Sequence, residues 1–83
     1  MSELFNGDYD VLLFNNDLNK IVTYNFVSFD NALYVLLFWC DVCENTNDWY
    51  KSIIPIMIKK NGRCIARTAN YKDYYKYVFI KEV

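Results

Sequence analysis

Cys40-Asp41-Val42-Cys43 is the first place to look for chemistry, because C-x-x-C is the spacing shared by redox dithiols and zinc sites. In a thioredoxin-like motif the first cysteine precedes a helix N-terminus, whose dipole lowers the thiol pKa. Here the motif closes an apolar, helix-forming stretch, where the dipole acts in the opposite sense. A structural zinc site takes four ligands. Cys64 offers a third, but the chain has no histidine and no second C-x-x-C. The pair therefore reads as small apolar core residues, and no metal or cofactor is expected.

The absence of histidine also removes the commonest general base. Asp8 and Asp10 lie one residue apart at a strand start and would face the same way, but they read as solubilising charge. The two glycines, Gly7 and Gly62, are isolated, so no phosphate-cradling loop exists. The expectation is a protein without enzymatic activity.

The remaining chemistry is electrostatic. Residues 1–48 hold eight carboxylates against Lys20 alone, and residues 49–83 hold eight cations against Asp73 and Glu82. On Arg63-Cys-Ile-Ala-Arg67, strand alternation puts Arg63 and Arg67 on one side beside Ile65. Lys59, Lys60, Lys72 and Lys76 lie near in sequence, interleaved with Tyr71, Tyr74, Tyr75 and Tyr77. Basic groups beside aromatic platforms suit single-stranded nucleic acid. A plain solvated sheet face, with the tyrosines as amphipathic packing, accounts for them better, and an acidic protein partner comes next. A pI of about 5.2 and the acidic first half count against nucleic acid. Conversely, the acidic half could mimic a phosphate backbone, as small viral inhibitors of host nucleases do in outline.

These groups must be positioned by short elements. Asp10-Val-Leu-Leu-Phe14 and the alternating Lys20–Val27, joined by the Asn15-Asn-Asp-Leu-Asn19 turn, read as a β-hairpin. In its second strand Val22, Tyr24 and Phe26 form the core side. Ser28 stands at a helix N-cap position, with Asp30 in the first turn, and the helix runs to about Cys43. Ser52–Lys59 is β-branched. Its Pro55 cannot donate to a ladder, which predicts an edge strand or pairing through the carbonyl side only. Asn61-Gly62 is a strong hairpin signal leading into Cys64–Thr68, and Lys76–Val83 alternates again. The predicted order is β-β-α-β-β-β over one domain, residues 1–83. The fold class is α+β: a small antiparallel sheet of four to five strands with one helix on one face. The other sheet face is left short of cover.

The helix itself has too many apolar sides. With Phe29 at 0° and about 100° per residue, Ala32, Leu33, Leu36, Cys40 and Cys43 fall within about 60° of it and should meet the sheet. Tyr34, Val35, Phe38 and Val42 fall on the opposite side, with Asp30 and Asp41 on the seam between. Either loop 44–51, with Trp49 and Tyr50, folds over this second stripe, or a partner covers it.

A chain that is 54% hydrophobic and 19% aromatic is not disordered. At this length, however, cores are thin and oligomerisation is a usual support. Three cysteines and no positively charged leader argue against a secreted disulfide framework. The run Ala32–Cys40 falls short of the ~20 apolar residues a membrane span needs. The expectation is a cytoplasmic protein with no membrane contact. Codon-biased use of Asn, Lys, Ile and Tyr suggests an AT-rich genome such as a virus or phage, which would place the protein in the host cytoplasm. The sequence thus points to a non-enzymatic protein-interaction module, a homodimer. It would dimerise through the helix stripe and meet a host macromolecule, which it inhibits, through a charged face. A nucleic-acid-binding domain and a purely structural small oligomer are the alternatives.

Overall fold

The computed structural model describes residues 7–45, 52–71 and 76–82. Along the chain run β1 (Tyr9–Asn15), β2 (Lys20–Phe26), α1 (Phe29–Asn45), β3 (Ile53–Lys60), β4 (Arg63–Tyr71) and β5 (Lys76–Lys81). The five strands form one antiparallel sheet in the order β2-β1-β3-β4-β5. The α+β expectation and its element order hold.

The turns follow from their residues. Asn15 Oδ1 accepts the Leu18 N–H at 3.0 Å, and Asn19 takes a positive φ of 53° to bring the chain back into β2. Asn61 and Gly62 adopt φ of 51° and 83°, the paired left-handed conformation of a type I′ hairpin turn. β2 and β3 both run antiparallel to β1, one on each side of it, so they are parallel to each other. Successive parallel strands of one sheet need a crossover, and α1 supplies it across one face, passing over β1. Ser28 starts the helix as predicted: its Oγ accepts the Asn31 N–H and its carbonyl the Ala32 N–H, both at 3.2 Å.

The core lies between α1 and that face. Ala32 and Leu36 of the helix meet Val11, Leu13, Ile58 and Ala66 of the sheet, all buried. The predicted inner stripe is therefore the packed one, with Cys40 and Cys43 on it. Val22, Tyr24 and Phe26 pair with Leu13, Val11 and Tyr9 and so share the helix side, as expected. α1 packs mainly against β3 and β5, less on β1 and lightly on β2. That lean leaves Tyr24 half exposed, at 51%.

Two register breaks were not visible in the sequence. Leu12 pairs with Met57 but Leu13 with Pro55, so Ile56 is an extra residue on β3. Ile58 pairs with Ala66 but Lys59 with Cys64, so Ile65 is an extra residue on β4. The first explains how Pro55 sits buried in the central strand rather than at an edge: a bulge excuses the missing donor. The Pro55 carbonyl accepts the Thr68 hydroxyl at 2.8 Å. The second rearranges the basic residues.

Candidate interaction surfaces

The dithiol is inert by position. Cys40 and Cys43 are buried, and the Cys43 thiol donates to the Ile53 carbonyl at 3.2 Å. Burial above all, then Cys43 and Glu44, pushes the Cys40 thiol up from 9.0 to about 11. A redox-active or metal-ligating cysteine needs the reverse shift. Among the described residues no three cysteines or carboxylates gather as a metal site. Cys64 is exposed on β4. One fast-reacting thiol per native chain is therefore expected with a thiol-specific reagent at pH 8, rising to three on denaturation. A folded pKa above the unfolded one means the unfolded chain loses its proton first. The contribution of Cys40 is intact below about pH 9 and declines as pH approaches about 11, by up to about 1.4 kcal/mol per pH unit. Equal reactivity of all three thiols in the native protein would contradict this placement.

The basic residues do not form one face. Arg67 pairs with Met57, whose partner Leu12 alternates with the core residues Val11 and Leu13, so Arg67 stands on the helix-free side. The Ile65 bulge puts Arg63 opposite Lys60, whose β1 partner Tyr9 packs on the core, so Arg63 is set on the helix side. The even spacing that joined the two arginines in the sequence fails because one residue is inserted between them. Arg67 Nε donates to Glu82 Oε1 at 2.6 Å in an exposed pair, and Lys59 sits opposite Asp10. Lys60 stays with Arg63 and is joined by Lys81, which the sequence reading had not singled out. Lys60 and Arg63 line one cleft of about 300 Å³. Lys60 and Lys81 line an adjoining one of about 270 Å³, whose wall includes Tyr9 and Phe29. Lys60 Nζ lies 5.4 Å over the Tyr9 ring, and Tyr9 meets Phe29 edge-on at 5.8 Å. Glu82 also lines both clefts, so this is a mixed-charge hollow rather than a phosphate track. Lys72 and Tyr74 lie outside the described residues, and Lys76 is placed by its backbone alone, opposite Tyr71.

Strand order separates the strands of the two halves, but α1, which carries Asp30, Asp41 and Glu44, packs mainly against β3 and β5. β2 and β1 lie on one side of the sheet and β3, β4 and β5 on the other, meeting where Asp10 faces Lys59.

Among the described residues, two apolar surfaces have no helix or strand packed over them. On α1, Tyr34 is 71% exposed, Leu37 41% and Phe38 48%. Tyr34 and Phe38 stand outward as the rotation predicts. Val35 does not: it packs against the core, because β2 extends under that flank of the helix. Val42 is only half-buried and has a contact of its own. Leu37 takes their place beside Tyr34 and Phe38. Phe38 packs edge-on against Trp39 at 5.2 Å. Beyond Trp39, an uncharged cleft of about 310 Å³ opens between Val35, Trp39, Tyr24, Phe26, Leu13 and Ile53. Most of the loop expected to cover this stripe, residues 46–51, lies outside the described residues.

The second surface is the helix-free side of the sheet. By register, Ile21, Phe14 and Ile54 form one row across it, and Thr23, Leu12, Met57, Arg67 and Ile80 the next.

No family model matches the chain, and neither the curated proteins nor the solved structures include one with detectable similarity to it. No helix among the described residues is long and apolar enough to cross a membrane.

Proposed function

We propose that this protein is a non-enzymatic protein-binding module, and that the outward stripe of α1, Tyr34, Leu37 and Phe38, is the surface that takes its partner. The observation that carries the reading is the exposure of two aromatic rings and a leucine at i, i+3 and i+4 on a helix whose opposite side is fully packed. Adjacent residues at that spacing form one continuous strip. Aromatic anchors of this kind dominate binding energy at interfaces. The cleft bounded by Val35, Trp39 and Tyr24 flanks the strip and offers a hydrophobic slot for an inserted side chain. A partner helix laid along α1 over β2 would fill both, the helix-in-groove mode.

The balance of charge turns this reading away from nucleic acid. Lys60, Arg63 and Lys81 share their hollow with Glu82, Lys59 sits opposite Asp10, and Arg67 pairs with Glu82. What distinguishes the α1 surface is apolar area.

Phe38→Asp tests the proposal. A substitution at a half-exposed position away from the core is expected to move stability by about 0.5 kcal/mol or less. Photo-crosslinks from a benzoylphenylalanine at position 34 to a cellular protein should be lost in the Phe38→Asp background. If Phe38→Asp unfolds the chain, the stripe is core and the proposal fails. It fails equally if crosslinking is unchanged.

A further inference from the structure

We infer that the segment seated on the outward side of α1 is basic and amphipathic, with an apolar centre over Tyr34, Leu37 and Phe38 and cations toward both ends. The inference rests on the reading of that stripe as the binding surface, and adds the chemistry of the partner.

The order of residues along the helix carries it. At about 100° per residue from Phe29, Asp30, Tyr34, Leu37, Asp41 and Glu44 all fall at about 60–140°, and Phe38 borders them at about 180°. The exposure of Leu37 therefore puts the acidic residues on the outward side itself rather than on a seam. Taken along the chain, that side reads carboxylate, tyrosine, leucine, phenylalanine, then two carboxylates. Asp30 and Asp41 stand about 16 Å apart along the axis, at 1.5 Å per residue, with the exposed apolar residues between them. Asp30, Asp41 and Glu44 are all exposed. Asp41 accepts the Asn45 side-chain amide at 3.0 Å, a neutral donor that leaves its charge in place. α1 carries no lysine or arginine. Lys60 and Lys81 lie in the hollow walled by Phe29, on the sheet side of the helix, and Glu82 lines it with them. The slot beside the stripe, between Val35, Trp39 and Tyr24, is uncharged. The outward side of α1 is thus apolar in the middle and negative at both ends. The helix dipole adds to the negative end at Asp41 and Glu44, where no basic residue offsets it.

Charge then selects among occupants. A second copy laid on the stripe about a two-fold axis meets it with the same patch, so the carboxylates of each chain face those of the other. An acidic segment and a nucleic acid meet the same repulsion. A wholly apolar segment seats on the centre and leaves both acidic ends without a counterpart. A basic amphipathic segment matches centre and ends together. Its apolar anchors, at i, i+3, i+4 and i+7, cover the stripe and enter the slot. Its lysine or arginine stems lie over the outer rings while their charges reach the carboxylates. The heavier negative end, at Asp41 and Glu44, draws more of its cations than the Asp30 end does.

Two synthetic peptides of about 18 residues, five helical turns, test this on the full chain. Both carry leucine and tryptophan at helical spacing; one has lysine at the remaining positions and the other glutamate. By fluorescence anisotropy at low salt the lysine peptide should bind about 10-fold tighter or more, as three exposed ion pairs of ordinary strength would give. The margin should shrink to about twofold at about 1 M salt, where the screening length is about 3 Å. A benzoylphenylalanine at position 34 should crosslink the lysine peptide. The double variant Asp30→Asn/Asp41→Lys should abolish the preference. It keeps the helix, since asparagine leaves the first turn polar and a cation suits the last turns. Phe38→Ala should weaken both peptides by about 10-fold, the effect of losing an aromatic anchor. Equal affinity for the two peptides overturns the inference, and so does a preference that Asp30→Asn/Asp41→Lys leaves intact. If Phe38→Ala still weakens both, the stripe remains the binding surface and only the partner's chemistry is wrong. Affinity that Phe38→Ala leaves unchanged removes the stripe as well. Binding of neither peptide at about 1 mM overturns the inference, as does a wild-type dimer that Phe38→Ala dissociates, which makes a second copy the occupant.

Discussion

Leu36→Ala is expected to remove about 3 kcal/mol of unfolding free energy, the usual cost of a leucine truncated in a packed core. Leu36 has no exposed surface and is, with Ile58, among the largest fully buried side chains of the described residues. It stands on the middle turns of α1 and meets the sheet residues of the core, so neighbours from several elements would have to move to fill the void. On a domain of this size each kcal/mol shifts the melting temperature by roughly 4–8 °C, which puts the expected drop at about 12–24 °C. The control is the next residue. Leu37→Ala makes the same chemical change with the same gain in helix propensity, but at a position 41% exposed. It is expected to cost well under 1 kcal/mol. Thermal melts of the two variants side by side check the rotation of the helix directly. Equal losses would mean that α1 is covered on both sides.

That rotation was legible in the sequence because a helix of this length repeats its signal over several turns. Ala32, Leu36, Cys40 and Cys43 recur on one side at the helical period, and all four are buried. Val35 was misplaced because it lies toward the margin of the stripe. Which margin is covered depends on where the sheet extends, and β2 lies under that flank. The Asn61-Gly62 turn and the Ser28 cap were equally readable, since each is decided by two or three neighbouring residues. Strand alternation was less secure. It is a parity rule, and one inserted residue reverses it. The extra residues Ile56 and Ile65 carry no mark in their side chains: both are β-branched and suit a regular strand. Hence the assembled arginine face was read from correct strands with a wrong parity. Pro55 alone predicts an edge strand or pairing through its carbonyl side only, and a bulge admits it to the central strand. Strand order lay beyond sequence reasoning because it depends on pairings between distant segments. Yet the order decides that β1 and β2 lie together at one end of the sheet, apart from the basic β4 and β5.

Gly7→Ala is expected to destabilise the β1–β2 hairpin by about 1–3 kcal/mol, the worth of the two hydrogen bonds it would break. A methyl group at Gly7 would lie 2.0 Å from the Phe26 carbonyl oxygen and 2.6 Å from the Val27 nitrogen. Both are backbone atoms, so no side chain can swing aside. The close approach exists because Asn25 holds it. The Gly7 N–H donates to Asn25 Oδ1 at 2.6 Å, and Asn25 Nδ2 donates to the Gly7 carbonyl at 2.9 Å and to Asp10 Oδ1 at 2.7 Å. The side-chain amide thus acts as one more rung beyond the Tyr9–Phe26 pair that ends the ladder. The chain can relieve the clash by peeling away before Tyr9, which bounds the cost near that of the rung. A double-mutant cycle separates clamp from clash. If alanine at position 7 acts by expelling the rung, Gly7→Ala should cost little in a chain that already carries Asn25→Ala, where there is no rung left to lose. Full additivity of the two losses in urea denaturation would mean that the glycine and the asparagine act independently, and that residue 7 is held by something other than the Asn25 amide.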